Sequence, residues 1–210
     1  LLTGFIASAL ITLSVGIFAA SRMHDMSKAD DFLFTHAVEP MGDLLNISAY
    51  FQRIRLNLLD FATTSSDASK ERSRTVIPQF RSIIDGSAIK VEATLISDEA
   101  RRLVAEYKSR RQDFRKMTDE VMAMTESGRK DEAYTLLTGK GREIALAYQN
   151  TIDALVASKR EQGALLAKHN AELADASSYL LYAALAFGLL LSITLGVLLT
   201  RNIMRQLGED

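Results

Sequence analysis

The 210-residue chain has no cysteine, no tryptophan and only two prolines, and it lacks an excess charge of either sign, 25 Lys and Arg standing against 26 Asp and Glu. Without cysteine there are no disulfides, thiolate metal sites, cysteine nucleophiles or covalent haem attachment. Without a basic excess there is no surface to track phosphates, so no nucleic acid is expected as a partner. Charge is also missing locally. Residues 1–20 and 177–200 contain no charged side chain, so all 51 charges fall on the other 166 positions. The unremarkable average composition therefore conceals two solvents.

A bilayer core about 30 Å thick needs roughly 20 helical residues. Residues 177–200 supply them, opened by Tyr179 and Tyr182 and closed by Arg201 and Arg205, which predicts a membrane-spanning helix. Residues 1–20 are expected to span as well, in a chain whose natural start is missing. The rival reading, a cleaved leader, fits less well because no helix breaker separates 1–20 from 21–28. Arg201 and Arg205 place the C-terminus in the cytoplasm by the positive-inside rule. The middle domain is then expected outside, which for a bacterial inner membrane means the periplasm.

Residues 21–176 hold 47 of the charges and read as helical throughout. Leu44, Ile47, Phe51, Ile54, Leu58 and Phe61 recur at alternating spacings of three and four, a heptad seam. A second stripe runs Ile77, Phe80, Ile84, Ala88, Val91, Leu95. The third is read as Leu103, Tyr107, Arg110, Phe114, Met117, Val121, Met124, and the fourth as Leu137, Ile144, Tyr148, Ile152, Leu155. Ser97 before Asp98 and Glu99 marks a helix start, and Gly128 a helix end. Pro78 and Gly86 interrupt the second stripe's residues without interrupting its period, so one helix is expected there. By rise per residue the first helix, 21–66, and the fourth, 130–176, are about 70 Å long and the other two about 40 to 45 Å. The expected fold is all-α: an up-down-up-down four-helix bundle whose first and fourth helices continue into the two membrane helices.

This layout resembles the N-terminal half of bacterial methyl-accepting chemotaxis receptors, with a span, a periplasmic four-helix-bundle sensor (21–176), a second span and the opening of a HAMP relay at 201–210. The run Ile203-Met204-Arg205-Gln206-Leu207-Gly208 is similar to a HAMP opening, although it lacks the usual proline. Glu132-Ala133 followed by Leu136-Leu137 is similar to the start of the family's fourth helix. The resemblance implies a homodimer, with the first-helix seam as its interface, and a periplasmic ligand whose signal passes through the second span for chemotaxis. Related openings lead into histidine kinases or diguanylate cyclases, and a partner-binding bundle without a small ligand is a further alternative. The segment Ile54-Arg55-Leu56-Asn57-Leu58 resembles the one that carries a ligand-binding arginine in amino-acid receptors. The arginines that follow it there are replaced by Asp60 and Thr64.

Arg110 occupies a core position of the third stripe, where a cation needs an anionic partner. Rise per residue places Arg55, Arg81 and Arg110 at about one level, with Tyr148 slightly lower. Arginine forks and a phenol converging there would grip a carboxylate, so these four residues are the candidate anion site and an organic acid or amino acid the candidate ligand. The more ordinary reading of Arg110 is a structural ion pair with an acid of a neighbouring helix, or a side chain that snorkels outward. His24, His36 and His169 are scattered, and no metal or cofactor is expected. No catalytic constellation appears, so the chain is not expected to be an enzyme.

Overall fold

The computed structural model describes residues 2–207. Their elements are α1 (Leu2–Leu33), a π-helical turn (Phe34–Val38), α2 (Glu39–Thr63), α3 (Asp67–Ala93), α4 (Asp98–Glu126), α5 (Lys130–Thr138) and α6 (Lys140–Leu207). Gly208 of the HAMP-like run lies outside the described residues. The chain divides into two compact units, Leu33–Ala164 and the segments before and after it.

The unit Leu33–Ala164 is the four-helix bundle. Its helix ends follow from the sequence. Ser66 and Ser97 cap α3 and α4, each accepting a hydrogen bond from the backbone three residues on. Gly128, at φ +81°, ends α4 in the left-handed conformation that favours glycine. Beside it the Arg129 N–H donates to Met124 O and the Gly128 N–H to Thr125 O, which satisfies two terminal carbonyls. Helix α3 runs unbroken through Pro78 and Gly86, both on its exposed side. Pro40 behaves differently. It is buried, and the π-helical turn ends two residues before it. A ring without an N–H crowds the preceding turn and removes its hydrogen bond, a recognised cause of such local widening.

The first-helix seam is the core's axis: Leu44, Ile47, Phe51, Ile54, Leu58 and Phe61 are all at most 1% exposed. Phe51 meets Phe114 and Tyr148 edge-on, with ring centroids 5.0 and 4.9 Å away. Tyr148 stacks on Phe114 and donates to the Tyr107 hydroxyl at 3.1 Å. Such pairs add about 0.5–1.5 kcal/mol each beyond area burial. On α3, Ile77, Ile84 and Val91 are buried as the period requires.

Two expectations need correction. The third stripe is shifted: Val104, Tyr107, Phe114, Met117 and Val121 are buried with Thr118 and Thr125, whereas Leu103 and Met124 are only half-buried and Arg110 is exposed. The polar residues Arg111, Thr118 and Thr125 fall on the true seam, and the threonines reconcile this by donating to the carbonyls four residues back. The fourth helix is not continuous. Gly139, at ψ −109°, leaves the helical region and separates α5 from α6.

In the other unit, α1 and the distal part of α6 expose Leu10, Leu13, Ile17, Leu185, Phe187 and Leu189. A Cβ placed on Gly188 would stand 3.2 Å from Ile11 Cγ2, so glycine permits close approach of the two helices there. Asn170 Nδ2 donates to Asp30 Oδ1 at 2.9 Å. Helix α6 is long and apolar enough to cross a membrane.

If Phe51 anchors the bundle, Phe51→Ala should cost roughly 3–5 kcal/mol in chemical denaturation of the micelle-solubilised chain, while Ile89→Ala, on the exposed side of α3, stays within about 0.5 kcal/mol. Equal losses would contradict this core.

Candidate functional site

A cavity of about 350 Å³ opens among α2, α4, α5 and the start of α6. The break at Gly139 creates it, because α5 and α6 there run as two separate segments with Thr138 and Arg142 on its wall. Gly141 sets how closely the new helix packs: a Cβ would meet Leu136 O at 2.8 Å and Met117 Sδ at 3.2 Å. Most of the wall is apolar, from Leu56, Leu58, Leu59, Phe114, Met117 and Leu137. This is the usual character of a small-molecule pocket, with few polar groups to orient what enters.

Those polar groups are Gln52, Arg55, Thr138 and Arg142. The Arg55 guanidinium lies 5.6 Å from the Phe51 ring centroid, and its Nη1 donates to Gln52 Oε1 at 2.9 Å. Gln52 Nε2 donates in turn to Gln149 Oε1 at 2.6 Å, and Gln149 Nε2 to Asp153 Oδ1 at 3.0 Å. The chain of amides thus ties α2 to α6 and carries the orientation of Arg55 across the helix pair. Among the described residues neither Arg55 nor Arg142 has a carboxylate within ion-pair distance, so an apolar cavity holds two uncompensated forks at its edge.

The structure does not bring the four sequence candidates to one place. Arg55 lines the cavity. Arg81 and Tyr148 instead border a crevice of about 10 Å³, room for at most a water. Arg81 is engaged there with Asp119 at 2.7 Å. The Tyr148 hydroxyl is held by Tyr107, and burial, reinforced by that neighbour, pushes its ionisation far above the ordinary phenol range. Burial raises Tyr107 in the same way. Both remain neutral phenols. Arg110 is the clearest correction: it sits outside the core, 3.8 Å from Glu106 one turn away. The residue one further, Arg111, turns inward, where it and Arg115 grip the two oxygens of Asp85 at 2.9 and 2.7 Å. That triad is a clamp between α3 and α4, already satisfied.

Sequence reading missed Arg142, Gln52 and Thr138. The available sign was Gly139-Lys140-Gly141, two glycines bracketing one residue, which marks a helix break directly before Arg142.

None of the curated proteins matches this chain. A family model described as a four helix bundle sensory module for signal transduction matches residues 1–174. This match, over most of the sequence and over the whole observed bundle, agrees with the all-helical core. The chain therefore belongs to the family of four-helix-bundle sensory modules of chemotaxis receptors.

Proposed function

We propose that the chain is the sensing half of a membrane-anchored chemotaxis receptor that detects a small organic acid with an apolar body. The supporting observation is the pairing of Arg55 and Arg142, both without carboxylate partners, on one apolar cavity. A carboxylate takes the forks and an apolar remainder fills the space against Leu59 and Met117. As the anion draws Arg55 toward itself, the bond from Arg55 to Gln52 is lost and the tether through Gln149 loosens. Binding at the cavity thus becomes a change in the packing of α2 against α6. In this reading residues 1–20 and 177–200 span the inner membrane, the bundle faces the periplasm, and the displacement passes through the second span to the HAMP-like segment in the cytoplasm.

The receptor is read as a homodimer, but not through the first-helix seam, whose side chains are buried in the chain's own core. A second stripe on the same stretch, Val38, Leu45, Ala49, Leu56 and Leu59, keeps heptad spacing and is exposed. This is the face offered to a second copy.

Isothermal titration of the 210-residue chain in nanodiscs against a series from acetate to phenylalkanoates should give affinity that grows with the apolar body. Each charge-assisted contact is worth about 1.5–3 kcal/mol, so Arg142→Ala and Arg55→Ala should each weaken binding by roughly 10- to 100-fold, with Arg110→Ala unchanged. Unaltered binding in both cavity variants removes the acid-sensing reading. The dimer is tested separately in this cysteine-free background: Leu45→Cys and Ala49→Cys should form disulfide-linked dimers on mild oxidation in membranes, and Ile89→Cys should not. Cross-linking that favours Ile89→Cys would place the interface elsewhere.

A further inference from the structure

Lys159 is a buried cation for which no ion pair is found among the described residues. It is 3% exposed, and its ammonium donates to three neutral oxygens: Thr94 O at 2.7 Å, His36 O at 2.9 Å and Gln162 Oε1 at 3.1 Å. The acceptors come from the π-helical turn, the end of α3 and α6. Two of them are backbone carbonyls at places where the regular α-helical ladder is interrupted. In an α-helical ladder the His36 carbonyl would accept from residue 40, and Pro40 has no N–H to give. Thr94 is the C-terminal cap of α3, where carbonyls have no partner in the helix.

Among the described residues no carboxylate lies within ion-pair distance of it. The titratable groups on the packed segments are His36 and Glu39, Lys90 and Glu92, Asp98 and Glu99, and Arg160 and Glu161. All except His36 are exposed. Burial alone lowers the proton affinity of Lys159, to about 8 from the ordinary 10.5. The hydrogen count then matters. An ammonium has three N–H bonds for three acceptors, whereas the neutral amine has two and a lone pair. With the proton gone, one oxygen would face that lone pair. The neighbouring group able to respond is Gln162, whose Nε2 is buried with no partner among the described residues. A half-turn of its carboxamide presents Nε2–H to the amine.

We propose that Lys159 and Gln162 form a proton-operated switch at this end of the bundle. As the ammonium, Lys159 clamps the π-turn, the end of α3 and α6 together; as the amine, it keeps the two backbone carbonyls and reverses its contact with Gln162. Because the folded-state affinity lies below the unfolded one, stability from this group rises as pH climbs from about 8 to about 10.5. The clamped, charged state is the costlier one. Mildly alkaline conditions therefore release a cost held at the α6 contact, independently of the ligand cavity.

The test is NMR of the 210-residue chain in nanodiscs, labelled at lysine Cε and at glutamine side-chain amides. One lysine signal, absent from Lys159→Met, should titrate near pH 8, and the Gln162 amide, identified by its loss in Gln162→Leu, should shift with the same midpoint. That shift should vanish in Lys159→Met and in Lys159→Arg and persist in His36→Gln. A Lys159 midpoint near 10.5, a Gln162 shift that survives Lys159→Met, or one lost in His36→Gln would each overturn the switch. Should Lys159→Met fail to fold, the wild-type midpoint together with His36→Gln decides.

Discussion

The bundle depends on one geometric constraint: the inward face of α2 can be buried only once. Phe51 touches α4 through Phe114 and α6 through Tyr148, while α3 lies alongside the same helix. Because the seam residues Leu44, Ile47, Phe51, Ile54, Leu58 and Phe61 are buried against these neighbours, the seam has no surface left for a second chain. Everything directed outward must use another face of α2. The same enclosure brings Arg55, one residue beyond Ile54, to the solvent side of the core, where its guanidinium lies over the Phe51 ring and donates to Gln52.

The seams that were legible in the sequence were the ones written in apolar residues. In α2 the heptad period and the burial coincide because apolar residues fill the inward positions from Leu44 to Phe61, and in α3 Ile77, Ile84 and Val91 keep the period legible although Ser73 and Ser87 are buried beside them. Helix α4 was misread by one position for the opposite reason. Its true seam carries Arg111, Thr118 and Thr125, side chains that a hydrophobic pattern discounts, so the neighbouring frame through Leu103 and Met124 scored better. These polar residues are tolerated on the seam by two means. The threonines bond back to their own helix, and Arg111 meets Asp85 at the margin. Binary patterning has no term for local satisfaction of this kind, which is why the expected anion site placed Arg110 inside and left Arg111 out.

The cavity was illegible for a related reason. A four-helix bundle with uninterrupted heptads fills its interior, and no stripe of apolar residues announces the absence of one. The cavity arises where a backbone torsion at Gly139 interrupts the fourth helix, and the residues that give it polarity come from the flanks of two seams. Of these, Gln52 is half-buried and Arg142 is exposed. They look like ordinary surface in a periodicity analysis, and only three-dimensional adjacency shows that they share a space with Arg55.

The two interruptions of the long helices act through the same physics. A regular α-helix satisfies its own backbone and offers a ligand or a neighbouring side chain nothing but its surface. At Gly139 the ladder is cut, and space opens that two arginines border. At Pro40 the ladder loses one donor, and the carbonyl it abandons is taken up by Lys159 from another helix. A lysine with three neutral acceptors and no counter-ion is held by geometry rather than by charge, so its hold depends on the number of protons it carries. A sequence with so few prolines can still interrupt its own helices at chosen points, because one glycine and one proline are enough to break the regular backbone ladder that the remaining helix maintains.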